Sequence, residues 1–225
     1  MNAAYGCSME DELDVIASHE ETCPLRVVHC PAKHTSRSCT WMGSIPRMME
    51  HNMETNCIQQ LNNYFGTSSM FKGFVGDCRK VGMSVFDRSF ITHYKPTLLV
   101  SPTWSEYLLY LMIKRSSHGL WYLLVRSIQP DFVVKQLRVE LEVYKSEEED
   151  QRHTYEGEVI SSKLSDEEIM ITGNFMLLTD SQIKRFISSE TIFRYNITIW
   201  KLAPKRRLEE AEFLDERPIE DPPGQ

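Results

Sequence analysis

No apolar run in the chain approaches the roughly 18 residues that a membrane-crossing helix needs. The longest, Leu108 to Ile113, is six residues and reads as a strand, so no membrane partner is expected. The N-terminus lacks the basic start and apolar stretch of a secretory signal and carries Glu10, Asp11, Glu12 and Asp14 instead. The expectation is therefore a cytoplasmic chain in a reducing compartment where disulfides are rare, with entry to the nucleus left open. A positive excess is also missing. Residues 1–57 hold four Lys/Arg against eight Asp/Glu, residues 203–225 hold four against seven, and the remainder is balanced. Phosphate binding demands the opposite sign, so nucleic acid is not an expected partner. With 41% hydrophobic and 25% charged residues in a chain of 225, wholesale disorder and collagen-like structure are excluded as well.

Cysteine is scarce everywhere except at the start. Five of the six, Cys7, Cys23, Cys30, Cys39 and Cys57, fall in the first quarter, and only Cys78 follows. Clustered with histidines in an intracellular chain, such cysteines point to metal before disulfide. Zinc needs four nitrogen or sulfur ligands in a tetrahedron and supplies the folding energy of segments too small for a core of their own. The gaps form two related patterns. Cys7 is followed after eleven residues by His19 and after three more by Cys23. Cys30 is followed after eight by Cys39, after eleven by His51 and after five by Cys57. The repeated gap of eleven leaves room for a turn and the start of a helix from which the last ligands project. Around His51, Ser44 reads as an N-cap and Pro46 as a first-turn residue. Around His19, Leu13, Ile16 and Ala17 share a helical period behind acidic residues suited to the helix dipole. The second set is complete and the first has three members. The metal ligands expected are thus Cys7, His19, Cys23, Cys30, Cys39, His51 and Cys57, for one zinc ion and a second at the incomplete set. His29 and His34 read as bystanders, with His29 a substitute donor beside Cys30. Cys78 reads as a free thiol beside Arg79 and Lys80, and no catalytic residue is expected.

The stretch from Cys23 through Cys30 and Pro31, then Cys39, Trp41, Gly43 and His51, resembles the double zinc finger of the seven-in-absentia (SIAH-type) ubiquitin ligases. That family's pair reads Cys-x6-Cys-x11-His-x3-Cys, then Cys-x6-Cys-x11-His-x4-His. The resemblance places Cys7, His19 and Cys23 on the second to fourth ligands of the first finger. It places Cys30, Cys39, His51 and Cys57 on the four ligands of the second. The Cys-x-Trp-x-Gly element at Cys39, Trp41 and Gly43 is its most specific part. Three departures stand out: the first cysteine of finger one is absent, the gap from Cys30 is eight, and the last ligand is Cys57. The RING domain that precedes the fingers in this family has no counterpart in the sequence, which implies a RING-less member or a record that starts inside a longer protein.

Residues 64–202 read mostly as strands. Leu137, Val139, Leu141 and Val143 alternate with polar residues, as do Tyr195, Ile197 and Ile199. Leu108–Ile113 and Leu120–Val125 are apolar runs joined by a loop containing Gly119, a hairpin pattern. Tyr155 to Ser161 and Ile169 to Phe175 read as further strands with an acidic loop, 165–168, between them. Only Ser181 to Ile187 reads as a helix, behind an Asp180 cap. The expected fold is mainly β: a zinc-finger pair over residues 1–60, the first finger incomplete, then an antiparallel β-sandwich over 61–202 and a charged, disordered tail over 203–225. The order of strands resembles the TRAF-like substrate-binding domain of the same family.

The function implied by the resemblance is a substrate-recognition adaptor in ubiquitin-dependent proteasomal degradation. Its partners would be substrate proteins bound through extended peptides and, indirectly, a conjugating enzyme or a RING-bearing relative. A homo- or heterodimer is implied too. Whether it is an enzyme stays open, because the family transfers ubiquitin through a RING. The alternative is a TRAF-like signalling scaffold without a role in ubiquitin transfer. The second finger is expected to fold on its zinc, so that Cys39→Ser should unfold it and leave the sandwich largely intact, and the first is expected to hold metal more weakly.

Overall fold

The computed structural model of the chain describes residues 2–34, 39–62, 70–75, 92–100, 108–145, 151–187 and 193–202. In chain order these form a short 3-10 helix Asn2–Tyr5, α1 (Leu13–Thr22), β1 (Val27–His29), a second 3-10 helix Pro31–His34, β2 (Met42–Ser44) and α2 (Ile45–Thr55). Then come β3 (Gln59–Asn62), β4 (Met70–Val75), β5 (Thr92–His93), β6 (Thr97–Val100), β7 (Leu109–Arg115), β8 (Leu120–Ser127) and α3 (Asp131–Val134). The chain continues through β9 (Leu137–Tyr144), β10 (Arg152–Glu158), β11 (Ile160–Ser161), α4 (Asp166–Thr172), β12 (Met176–Thr179), α5 (Asp180–Phe186) and β13 (Phe193–Lys201). The architecture is mainly β. Cys78 and the tail 203–225 lie outside the described residues.

Two sheets form the body. One runs β10-β9-β13-β4, and the other runs β11-β8-β7-β6-β3 with β12 beside β8 and β5 beside β7. Alternation dictates what faces inward. Val139, Leu141 and Val143 of β9, and Tyr195, Ile197 and Ile199 of β13, are buried while the residues between them are half-exposed. They pack against Leu109, Leu111, Ile113, Trp121, Leu123 and Val125 of β7 and β8, so the two sheets stack on one shared core. Each such side chain contributes about 1.5–3 kcal/mol through burial.

The hairpin β7–β8 has no polar alternation because both of its faces are covered. The intervening residues Tyr110, Met112 and Leu124 are buried too, in a second cluster that includes Met48 of α2, Ile169 of α4 and Ile160. A sheet buried on both faces reads as a continuous apolar run, and here that run reports the finger packed on its outer face.

Several expectations are corrected. Ile169–Phe175 is not a strand. Residues 166–172 form α4, because Ser165 accepts from the backbone N–H of Glu168 while the Glu168 side chain accepts from the N–H of Ser165. That reciprocal pair starts a helix, and Gly173 ends it in a left-handed conformation. The helix Asp180–Phe186 is present, but its cap is Thr179, which accepts from the N–H of Gln182. Pairing is not wholly antiparallel either, since β3 runs parallel to β6 and β11 parallel to β8. Pro130, at the N-cap of α3, starts one more short helix that alternation alone does not reveal.

Asp180 is free for another task. Its carboxylate takes a two-point contact from Arg115, 2.8 Å to Nε and 2.5 Å to Nη2, and a bond from Trp121 Nε1 at 2.7 Å. Gly119 in the β7–β8 turn has φ +74°, and a side chain there would meet Asp180 Oδ2 at 2.6 Å. The turn thus closes over the pair. Arg126, fully buried, donates through Nη2 to the carbonyls of Ser161, Ser162 and Leu164 and so fixes the turn that leads into α4.

Candidate metal centres

The second cysteine–histidine set is built on a hairpin and the helix after it. β1 and β2 pair antiparallel, Val28 opposite Gly43 and His29 opposite Met42. Cys30 follows the first strand and donates its N–H to the carbonyl of Trp41 at 3.1 Å, and Cys39 donates to Ala32 at 3.4 Å. These bonds hold the two cysteines at the end of the hairpin where the connection between its strands begins and ends. Ser44 is the N-cap of α2 and Pro46 lies in its first turn, which presents His51 two turns later. The helix ends on Asn56 with φ 48°, a left-handed conformation that asparagine tolerates and that turns Cys57 back toward His51.

The four side chains converge. Cys30 Sγ lies 3.4 Å from Cys57 Sγ, and His51 Nε2 lies 3.3 Å from both Cys39 Sγ and Cys57 Sγ. One ion with metal–sulfur bonds of about 2.3 Å and metal–nitrogen bonds of about 2.0 Å would set tetrahedral edges of about 3.5–3.8 Å. The observed separations are close to that, and all four donor atoms lie within 4.8 Å of one another. The set could therefore hold a metal ion. Without one, burial and the neighbouring sulfurs push the Cys30 thiol well above its ordinary pKa. A cation reverses this, since a coordinated thiol is deprotonated outright.

The supporting residues explain the motif. The Trp41 ring stacks on the His51 imidazole with centroids 4.6 Å apart and planes 10° from parallel. Gly43 lies two residues on, on the same face of the strand. A side chain at Gly43 would meet Trp41 Cζ2 at 2.6 Å, so only glycine leaves room for the indole. The Cys39, Trp41, Gly43 pattern thus places a ligand, an aromatic plate against the other ligand, and the gap the plate needs. Thr55 donates its hydroxyl to Cys57 Sγ at 3.2 Å, and Asn52 accepts from the N–H of Ile58 at 2.8 Å. Sequence reading passed over Thr55, Asn52 and Asn56. The one visible signal was an asparagine just past a helical pattern.

Cys7, His19 and Cys23 also come together, with Cys7 Sγ 3.3 Å from His19 Nε2. His19 lies in the last turn of α1, and Cys23 caps that helix by donating its N–H to the carbonyl of His19 at 2.7 Å. Among the described residues no fourth histidine, cysteine or carboxylate joins them. This unit has little packing of its own: α1 buries none of its residues, and Leu13 is 83% exposed. It is tied to the body by Arg26, which donates to the carbonyl of Cys23 at 3.1 Å, to that of Ile128 at 3.0 Å and to Gln129 Oε1 at 3.1 Å, and by an exposed ion pair of Glu21 with Lys163 at 3.5 Å. His29 is exposed and belongs to neither set, and the side chain of His34 lies outside the described residues.

The finger is not an appendage. Met48 of α2 is fully buried among Tyr110, Met112 and Leu124, and Cys30, Cys57 and Ile58 pack with Leu98 of β6. The second finger therefore shares its packing with the sheet body. No helix among the described residues is long and apolar enough to cross a membrane. No family model matches the chain, and no curated protein matches it.

Proposed function

We propose that the chain is a zinc-binding recognition module of the seven-in-absentia type, an adaptor that delivers proteins for ubiquitin-dependent degradation. The observation that carries this reading is the convergent Cys30, Cys39, His51, Cys57 set, three of its members buried, with Trp41 stacked on its histidine. Three sulfurs and one imidazole nitrogen in a closed tetrahedron are the ligand set of structural zinc, and soft thiolates select it over calcium or magnesium. The mainly β body beneath the finger suits the second half of the reading. Sheet edges recognise extended peptides by adding a strand, which is how substrates would be held. The donor sets tie up five thiols, and none of the seven ligands is available as a nucleophile. Transfer itself is therefore left to a RING-bearing relative with which the chain would pair, in the cytoplasm or nucleus.

A reconstituted ubiquitination reaction tests this. With conjugating enzyme and this chain alone, no ubiquitin chains are expected. Adding a RING-bearing relative should give substrate modification that increases with this chain. Modification that is indifferent to this chain would favour a TRAF-like scaffold outside ubiquitin transfer. Robust activity of the chain alone, abolished by Cys78→Ser, would overturn the adaptor role.

A further inference from the structure

β1 pairs with β2 alone, in a two-stranded sheet, so its other edge is free. Directly opposed residues of antiparallel strands alternate between bonded and unbonded pairs. The bond from the N–H of Cys30 to Trp41 makes Val28 and Gly43 a bonded pair. The N–H and C=O of Val27 and of His29 therefore point to the free edge. Among the described residues these groups have no partner. The same strand borders a cavity of about 890 Å³ between the finger and the sheet body, and Val27, Val28 and His29 all line it. Successive strand residues point to opposite faces, so a cavity that touches all three runs along the edge. The body contributes Tyr110, Ile128 and Pro130 to its walls. An edge of this kind is a template for another strand.

We propose that an extended peptide of a partner protein adds to the free edge of β1 as a third strand, and that it carries an acidic residue that meets Lys33. This rests on the peptide-recognition reading above and gives it a place and a sequence class. Val27 and His29 offer the peptide two donors and two acceptors, which supply affinity whatever its sequence. Val28 packs against the cluster that holds Tyr110 and Ile128, so an apolar peptide side chain beside Val28 would find cover there. Charge narrows the choice further. Of the other charged side chains around the cavity, Arg26 bonds to Cys23, Ile128 and Gln129, and Lys163 lies 3.5 Å from Glu21 and 3.7 Å from Asp131. Glu20 is engaged as well. Lys33 is exposed, and among the described residues no carboxylate pairs with it. Its N–H donates to the carbonyl of Cys30 at 2.9 Å, which keeps it just past the end of the strand. A carboxylate at that end of the peptide complements its charge.

The probe is a displayed library of random decapeptides selected against the full chain, with labelled synthetic copies of the enriched peptides titrated by fluorescence anisotropy. Enriched peptides should combine an apolar residue with Asp or Glu. Val27→Pro removes an outward N–H and no bond to β2, a place where an edge strand tolerates proline. It should weaken binding about tenfold at an unchanged unfolding temperature. Lys33→Glu should weaken the acidic peptides about fivefold, and copies with Lys in place of the acid should regain the loss. That charge swap decides the matter even where Val27→Pro disturbs the fold. Peptides that bind the wild type and both variants alike would overturn this site and leave peptide recognition to another edge of the body. No enriched peptide at all would overturn both. A dimer of this chain that Val27→Pro abolishes in sedimentation would overturn the choice of occupant and assign the edge to a second copy.

Discussion

At the scale of single residues, the contact between Trp41 and His51 is what a spacing pattern cannot display. The sequence shows Cys39, Trp41 and Gly43 as a motif. The structure gives its reason, a ring that orients a ligand and a glycine that admits the ring. Gly43→Ala should push the indole off the imidazole and cost about 1 kcal/mol of stacking, or about fivefold in metal affinity at this centre. Competition with a chromogenic chelator reads that directly, and unchanged affinity would count against the account. Asp180 is a second case. Burial pushes its carboxyl up, but the hydrogen bonds from Arg115 and Trp121 and the charge of Arg115 outweigh burial, and its pKa lies below the ordinary value. Its stabilisation is therefore full above the unfolded pKa of about 3.9 and is lost as pH falls through the lower folded one. Asp180→Asn should cost about 3 kcal/mol near neutrality, because it leaves the guanidinium of Arg115 uncompensated. In urea unfolding, the gap between wild type and variant should shrink on the acid side. A gap that does not depend on pH would show that the pair contributes no titrating stability.

At the scale of elements, legibility followed the number of faces each element buries. β9 and β13 bury one face, so their alternation could be read residue by residue. β7 and β8 bury two, and the run of apolar residues gave the strands without saying what covers them. The cover is Met48 of α2 together with Ile169 of α4 and Ile160. α4 was misread because Ile169 alone of its residues is buried while Ile171 is 86% exposed, which leaves no helical stripe to see. The signal lay instead in Ser165 and Glu168, a capping pair at the right distance. The finger's attachment changes what its loss should do. Met48→Ala, at a residue outside the ligand set, should lower the stability of the whole chain by about 2–5 kcal/mol. Cys39→Ser should lower the unfolding temperature of the sheet body as well as release metal, because Tyr110, Met112 and Leu124 lose their cover. A body that unfolds at the wild-type temperature in both variants would restore the picture of an independent finger.

At the scale of the whole molecule, the chain carries two donor sets of unequal standing on one mainly β body. Set two is four-membered, buried but for a half-buried Cys39, and continuous with the core; set one is three-membered among the described residues, half-buried but for Cys23, and tied to the body by Arg26 and by the Glu21–Lys163 pair. Both sets were legible from the gap of eleven residues between cysteine and histidine. What separates them was not, since burial and packing depend on partners far along the chain, such as Leu98 and Ile128. Metal should leave them in order, set one to a weak chelator and set two only as the fold is lost, because a structural ion's binding energy is folding energy. The measurement closest to the central claim is the zinc content of the purified chain before and after exposure to a weak chelator, with Cys39→Ser alongside. The account expects two equivalents falling to one in the wild type, and no chelator-resistant zinc in Cys39→Ser. A wild-type protein that carries no zinc, or a resistant equivalent that survives in Cys39→Ser, would contradict it.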